Sequence, residues 1–126
     1  MPAAETSFSA TYTIARRRFL HAAGEKGLAH EAVIHPEQDP FLPEAVVDVV
    51  RIGPRDAKTV LFVTSGVHGT ELTAGSGIQL QLIDEFADML PQDCAMVLIH
   101  AVNPVGCARL SRTDENNVDP NRNMVA

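Results

Sequence analysis

The segment Ser65-Gly66-Val67-His68-Gly69-Thr70-Glu71 sets an imidazole and a carboxylate three positions apart, where an apolar strand gives way to a helix. At such a junction both side chains can face one point. Zinc accepts imidazole nitrogen and carboxylate oxygen, and catalytic zinc sites often use three protein ligands of the His, Glu, His type with a fourth position open to water. His68 and Glu71 would supply two of the three. Gly66 and Gly69 suit this reading, because absent side chains let the backbone turn sharply and leave room beside a metal. The spacing also has a plainer meaning, a carboxylate favoured by the helix dipole with a solvated imidazole nearby. By spacing alone the plainer meaning is the commoner one, since short motifs recur by chance.

A second polar cluster lies downstream. Asn103-Pro104-Val105-Gly106 begins it and Asn116-Asn117-Val118-Asp119-Pro120-Asn121-Arg122-Asn123 ends it, with Arg109 and Arg112 between. Arg109 alone reads as solvated loop charge, and Asn103 reads equally well as a turn-forming asparagine. His21, His30, His35 and His100 sit in no ligand pattern.

The elements that must position these clusters are legible from periodicity. Thr59–Thr64 is a continuous apolar run of the kind buried on both faces of an α/β sheet. After Glu71, the residues Leu72, Ile78, Leu82, Ile83, Phe86, Met89 and Leu90 recur at three- and four-residue steps until Pro91, which predicts a long amphipathic helix. Residues 95–102 predict another buried strand. Strand, helix, strand is a crossover unit, so the two strands should run parallel. Upstream, the apolar stripe of residues 9–23 predicts a helix stopped by Gly24, residues 28–34 a strand, and the β-branched residues 45–52 a strand ended by Gly53-Pro54. From Asn103 onward there is little periodicity. Both polar clusters then follow the carboxyl ends of neighbouring strands, where open α/β sheets bind ligands.

Bulk properties exclude several classes. The chain has 126 residues, the size of one domain, and is 45% hydrophobic and 21% charged, which is ordinary globular material. A net charge of -6 argues against a surface built to collect phosphates, so no nucleic-acid partner is expected. Cys94 and Cys107 form no CxxC pair and read as reduced thiols. Arg16-Arg17-Arg18-Phe19-Leu20 resembles a twin-arginine export pattern, but the next residues are polar and charged where an export signal needs an apolar stretch. A cytoplasmic location is expected. No apolar run is long enough for a membrane span. Ala74-Gly75-Ser76-Gly77 lacks the first glycine of a nucleophile elbow, and no phosphate-binding glycine loop exists.

Taken in order, His68-x-x-Glu71, Asn103-Pro104-x-Gly106 and Asp119-x-Asn121-Arg122-Asn123 resemble the zinc carboxypeptidase superfamily, which also holds succinylglutamate desuccinylases and aspartoacylases. The likeness is closest to a bacterial branch of uncharacterised carboxypeptidase-like proteins and runs from Phe8 onward. It implies a single carboxypeptidase-like domain over residues 1–126, the N-terminal half of a mixed, largely parallel sheet with helices on both faces. It implies zinc as cofactor, held by His68 and Glu71. Arg112 would polarise the scissile carbonyl, Asn121 and Arg122 would clamp the substrate carboxylate, and Asp119 would support His68 from behind. Each role has chemical sense. An arginine fork binds a carboxylate bidentately, Arg112 would stabilise a tetrahedral oxyanion, and a metal-bound histidine gives its other ring proton to a carboxylate.

The resemblance has departures. Thr70 stands where carboxypeptidases proper often carry arginine, and Pro120 where the family usually has leucine. A second ligand histidine and a catalytic glutamate lie further downstream in the family than Ala126. The implied activity is hydrolysis of an amide bond beside a carboxylate, in a peptide or a small N-acyl amino acid, with the 126-residue chain inactive for want of those two groups. The alternative is a non-catalytic carboxylate-binding or regulatory module. Uncovered sheet edges are expected to drive self-association.

Overall fold

The computed structural model describes residues 7–124. Thr11 opens the helix α1 (Tyr12–Glu25) as its N-cap, with a side chain that accepts from the Ile14 amide at 3.3 Å. Two strands follow, β1 (Ala29–Ile34) and β2 (Val46–Ile52), then β3 (Thr59–Thr64), a single 3₁₀ turn (Gly69–Glu71), helix α2 (Leu72–Phe86), β4 (Cys94–His100) and a short helix α3 (Pro104–Arg109). The sheet order is β1-β2-β4-β3. The crossover through α2 makes β3 and β4 parallel, with Thr64 opposite Ile99.

The α/β class and the mixed sheet stand as expected, but the balance of strand directions differs. Both β1–β2 and β2–β4 are antiparallel, so one pairing of three is parallel. The physical reason is the connection between β1 and β2: it contains no helix to carry the chain back, so the two strands form a hairpin. Helix α3 was not foreseen at all.

Helix placement also departs from the expectation of helices on both faces. Both long helices sit on the face carrying Asp48, Val50, Ile52, Met96, Leu98 and His100. Helix α1 reaches it through the Tyr12 hydroxyl, which donates to the Val46 carbonyl and accepts from the Val46 amide at 2.9 Å each, and through Phe19, which stacks on His100 with centroids 4.6 Å apart. Helix α2 joins through Ile83 in the same apolar cluster and through Ser76, whose hydroxyl lies 3.0 Å from His100 Nε2. On the opposite face the row Ala29, Arg51, Val97, Phe62 is covered by no described helix.

Strand β3 is therefore an edge strand and not the doubly buried strand its composition suggested. Leu61 is 55% exposed and Phe62 63%. A run of apolar residues specifies strand structure without specifying what lies beside it. The twin-arginine-like stretch is part of this core: Phe19 is fully buried and Arg16 pairs with the buried Asp48 at 2.7 Å, inside α1. No helix among the described residues is long and apolar enough to cross a membrane.

Candidate metal centre

The carboxyl ends of β3 and β4 are tied together before the site begins. Gln79 on α2 is fully buried; its Nε2 donates to the Val63 and Ile99 carbonyls at 3.0 and 3.1 Å, and its Oε1 accepts from the Ser65 hydroxyl at 2.8 Å. This bridge adds a side-chain donor at the strand ends, where the Ile99 carbonyl also accepts from the Ser65 amide at 3.0 Å. Gly66 then turns at φ 67°, and a side chain there would press on Cys107 Sγ and the backbone of Ala101. Ala101, fully buried, adopts φ 58° to lead from β4 into α3.

Helix α3 packs directly under the His68 loop. A Cβ on Gly69 would overlap the Gly106 carbonyl, and one on Gly106 would overlap the Asn103 side chain. The two motifs are thus pressed together backbone to backbone, which explains glycine at both places. The Gly69 amide donates to the Ser111 carbonyl at 2.9 Å on the far side of α3. Asn103, Ser111 and Gln79 carry this framework. Asn103-Pro104 is an N-cap followed by proline at the first helical position, a signal that marks the start of α3; Gln79 gave none, because glutamine on an apolar helix face reads as solvent-facing until the strand ends are in place.

His68 is 7% exposed and meets a carboxylate at each ring nitrogen. Its Nε2 donates to Asp119 Oδ1 at 2.9 Å, and its Nδ1 lies 3.5 Å from Glu71 Oε2. Asp119 is shared: its Oδ2 accepts from Arg112 Nε at 2.9 Å and its Oδ1 also accepts from the Asn121 amide at 2.9 Å. The bond from His68, with help from Asn121 and Arg112, holds the Asp119 carboxyl down from 3.8 to about 2 against the opposing effect of burial. Asp119 is therefore an anion throughout the neutral range and a fixed acceptor for the ring.

That acceptor decides the other nitrogen. A ring donating from Nε2 turns a lone pair at Nδ1 toward the Glu71 carboxylate, an arrangement that a cation between the two would satisfy. Two ligand atoms on a tetrahedral zinc stand roughly 3.3 Å apart, given bond lengths near 2.0–2.1 Å. The 3.5 Å gap between Nδ1 and Oε2 matches that span. No group of three or more His, Cys, Asp or Glu suited to a metal occurs among the described residues.

The remaining candidates are placed unevenly. Arg112 is held by Asp119 through Nε alone, so its terminal nitrogens make no hydrogen bond among the described residues, and its side chain is 53% exposed. Asn121 and Arg122 are exposed, and among the described residues the Arg122 guanidinium bonds only to the Asn121 carbonyl, at 3.5 Å. The chain returns to His68 through a turn in which Asp114 Oδ1 accepts from the Asn116 and Val118 amides at 2.9 Å and Asn117 takes φ 60°. Arg109 pairs with Asp39 at 3.6 Å across to the β1–β2 loop.

The chain is an α/β protein whose polar centre sits where a parallel strand pair ends. The family described as "Protein of unknown function (DUF2817)" matches residues 8–126, and the chain belongs to it. No curated protein matches it. Among solved structures it is similar to a cytosol aminopeptidase from Coxiella burnetii, with 12% identity and a TM-score of 0.44. That similarity covers 71% of this chain and 26% of the aminopeptidase chain, so the chain spans about a quarter of the length of that neighbour.

Proposed function

We propose that the protein is a zinc-dependent hydrolase of the metallocarboxypeptidase or N-acyl amino acid deacylase type, cleaving an amide bond next to a carboxylate. The observation that carries this reading is the His68 ring, bound by Asp119 at Nε2 and turned at Nδ1 toward Glu71 across 3.5 Å. A zinc ion there would polarise the scissile carbonyl and lower the pKa of a bound water.

The chain's own residues do the rest. His68 and Glu71 hold the metal, and Asp119 fixes the ring orientation and keeps the ring basic. Arg112, anchored by one nitrogen, extends its two terminal nitrogens to an oxyanion. Asn121 and Arg122, exposed beside it, take the substrate's carboxylate. The reading requires a further donor and a general base beyond these residues, so the 126-residue chain by itself is expected to bind metal and turn over no substrate. Its substrate is a small molecule or peptide with a free carboxylate, and nucleic acid and membrane lipid have no place in it. A cytoplasmic site of action fits an export-like arginine stretch that is folded into α1.

A second reading, a non-catalytic carboxylate-binding module, draws on the exposed guanidinium groups of Arg112 and Arg122, which need no metal to bind an anion. Metal content discriminates between the two. Purified chain titrated with zinc should bind it and lose binding in His68→Ala; a folded, zinc-free chain that still binds small carboxylates favours the module.

A further inference from the structure

The Asn-Pro-x-Gly stretch takes no part in the chemistry above, yet its asparagine is 5% exposed and engaged at both ends of its amide. Asn103 Oδ1 accepts from the Gly106 amide at 3.0 Å and caps α3. Its Nδ2 donates to the Val67 carbonyl at 3.4 Å. That carbonyl belongs to the planar peptide unit that also carries the His68 amide, so a pull on it sets the plane from which the imidazole departs. The main chain works the same way. The Asn103 amide donates to the Gly66 carbonyl and the Gly69 amide to the Ser111 carbonyl, both at 2.9 Å, so the loop is gripped on either side of His68.

Capping needs only an oxygen. Serine or aspartate would cap α3 as well as asparagine does, and the amide nitrogen is then explained by Val67 alone. We propose that Asn103 is a positioning residue for the metal centre: through Nδ2 it holds the Val67–His68 peptide so that Nδ1 meets Glu71 and Nε2 meets Asp119. The consequence for metal binding rests on the zinc reading; the geometric role does not.

Asn103→Ser keeps the cap and removes the reach to Val67, whereas Asn103→Ala removes both. Asn103→Ser should unfold within a few degrees of the wild type, well above Asn103→Ala, yet bind zinc roughly 10- to 100-fold more weakly, the range typical of support lost behind a ligand. In the metal-free chain, ¹⁵N NMR should show a hydrogen-bonded His68 Nε2–H in the wild type that is shifted or lost in Asn103→Ser. Asn103→Asp, which caps but offers Val67 no donor, should behave like the serine variant. Unchanged His68 ring signals in both variants would overturn the proposal, as would an affinity loss that only tracks lost stability. A wild-type chain that takes up no zinc, with ring signals that still move in Asn103→Ser, sinks the zinc reading and upholds the positioning role.

Discussion

At the scale of single residues the account turns on Asp119. Its carboxyl is held below its ordinary range by His68, so its folded pKa lies under its unfolded one. Such a group contributes stability that is present above 3.8 and lost as pH falls toward about 2. Acid unfolding followed by circular dichroism should therefore show a steeper loss over that window in the wild type than in Asp119→Asn; identical profiles would deny the coupling. The same substitution should weaken zinc binding by about 10- to 100-fold. Arg122→Ala should leave zinc in place and cost carboxylate ligands roughly 10- to 100-fold in affinity, the range of a lost charge-assisted pair; calorimetry with a small carboxylate checks it. That His68 and Glu71 could face one point was legible from their three-residue spacing, whereas Asp119 was reached only through the family resemblance. The sharing of Asp119 between His68 and Arg112 was not legible, since it depends on a turn built by Asp114 that sequence spacing does not specify.

At the scale of elements, the strand-helix-strand unit was legible and its surroundings were not. Periodicity gave β3, α2 and β4 and the parallel pairing, because a crossover has one favoured hand. It missed that β3 is an edge, and it missed α3, whose six residues are too few to show a period. The packing of α3 under the 3₁₀ turn yields a prediction: Gly69→Ala would drive a methyl group into the Gly106 carbonyl and should destabilise the fold by about 1–3 kcal/mol, measured by thermal or urea unfolding. A neutral result would mean that the two loops are not in register as described. The helix-to-sheet contact supplies another. Burial pushes His100 down from 6.5 to about 4, with its Nδ1 unpartnered among the described residues and its ring against Phe19. As pH falls from 6.5 the unfolded chain takes up this proton first, so stability is full above 6.5 and declines toward about 4, by at most about 1.4 kcal/mol per pH unit. His100→Gln, which can still bond Ser76, should flatten that slope in urea titrations at stepped pH.

At the scale of the whole molecule, one sheet face is helix-covered and the other presents Val33, on β1, and Phe62, on β3 at the opposite edge, at 57% and 63% exposure. The six residues of β3 carry no charge and no proline, the devices by which edge strands usually resist pairing. The chain is expected to self-associate through this edge in a concentration-dependent way. Sedimentation velocity over a dilution series should show it, and Phe62→Lys should shift the distribution toward monomer; a monomer at every concentration would refute the edge as an association site.

All of this converges on the gap between His68 Nδ1 and Glu71 Oε2. Titrating the purified chain with zinc, alongside His68→Ala and Glu71→Gln variants shown to be folded, tests it most directly. The account predicts saturable binding in the wild type that both variants abolish or severely weaken while Arg122→Ala keeps it. Zinc binding that is absent in the wild type, or indifferent to His68 and Glu71, would contradict the account at its centre.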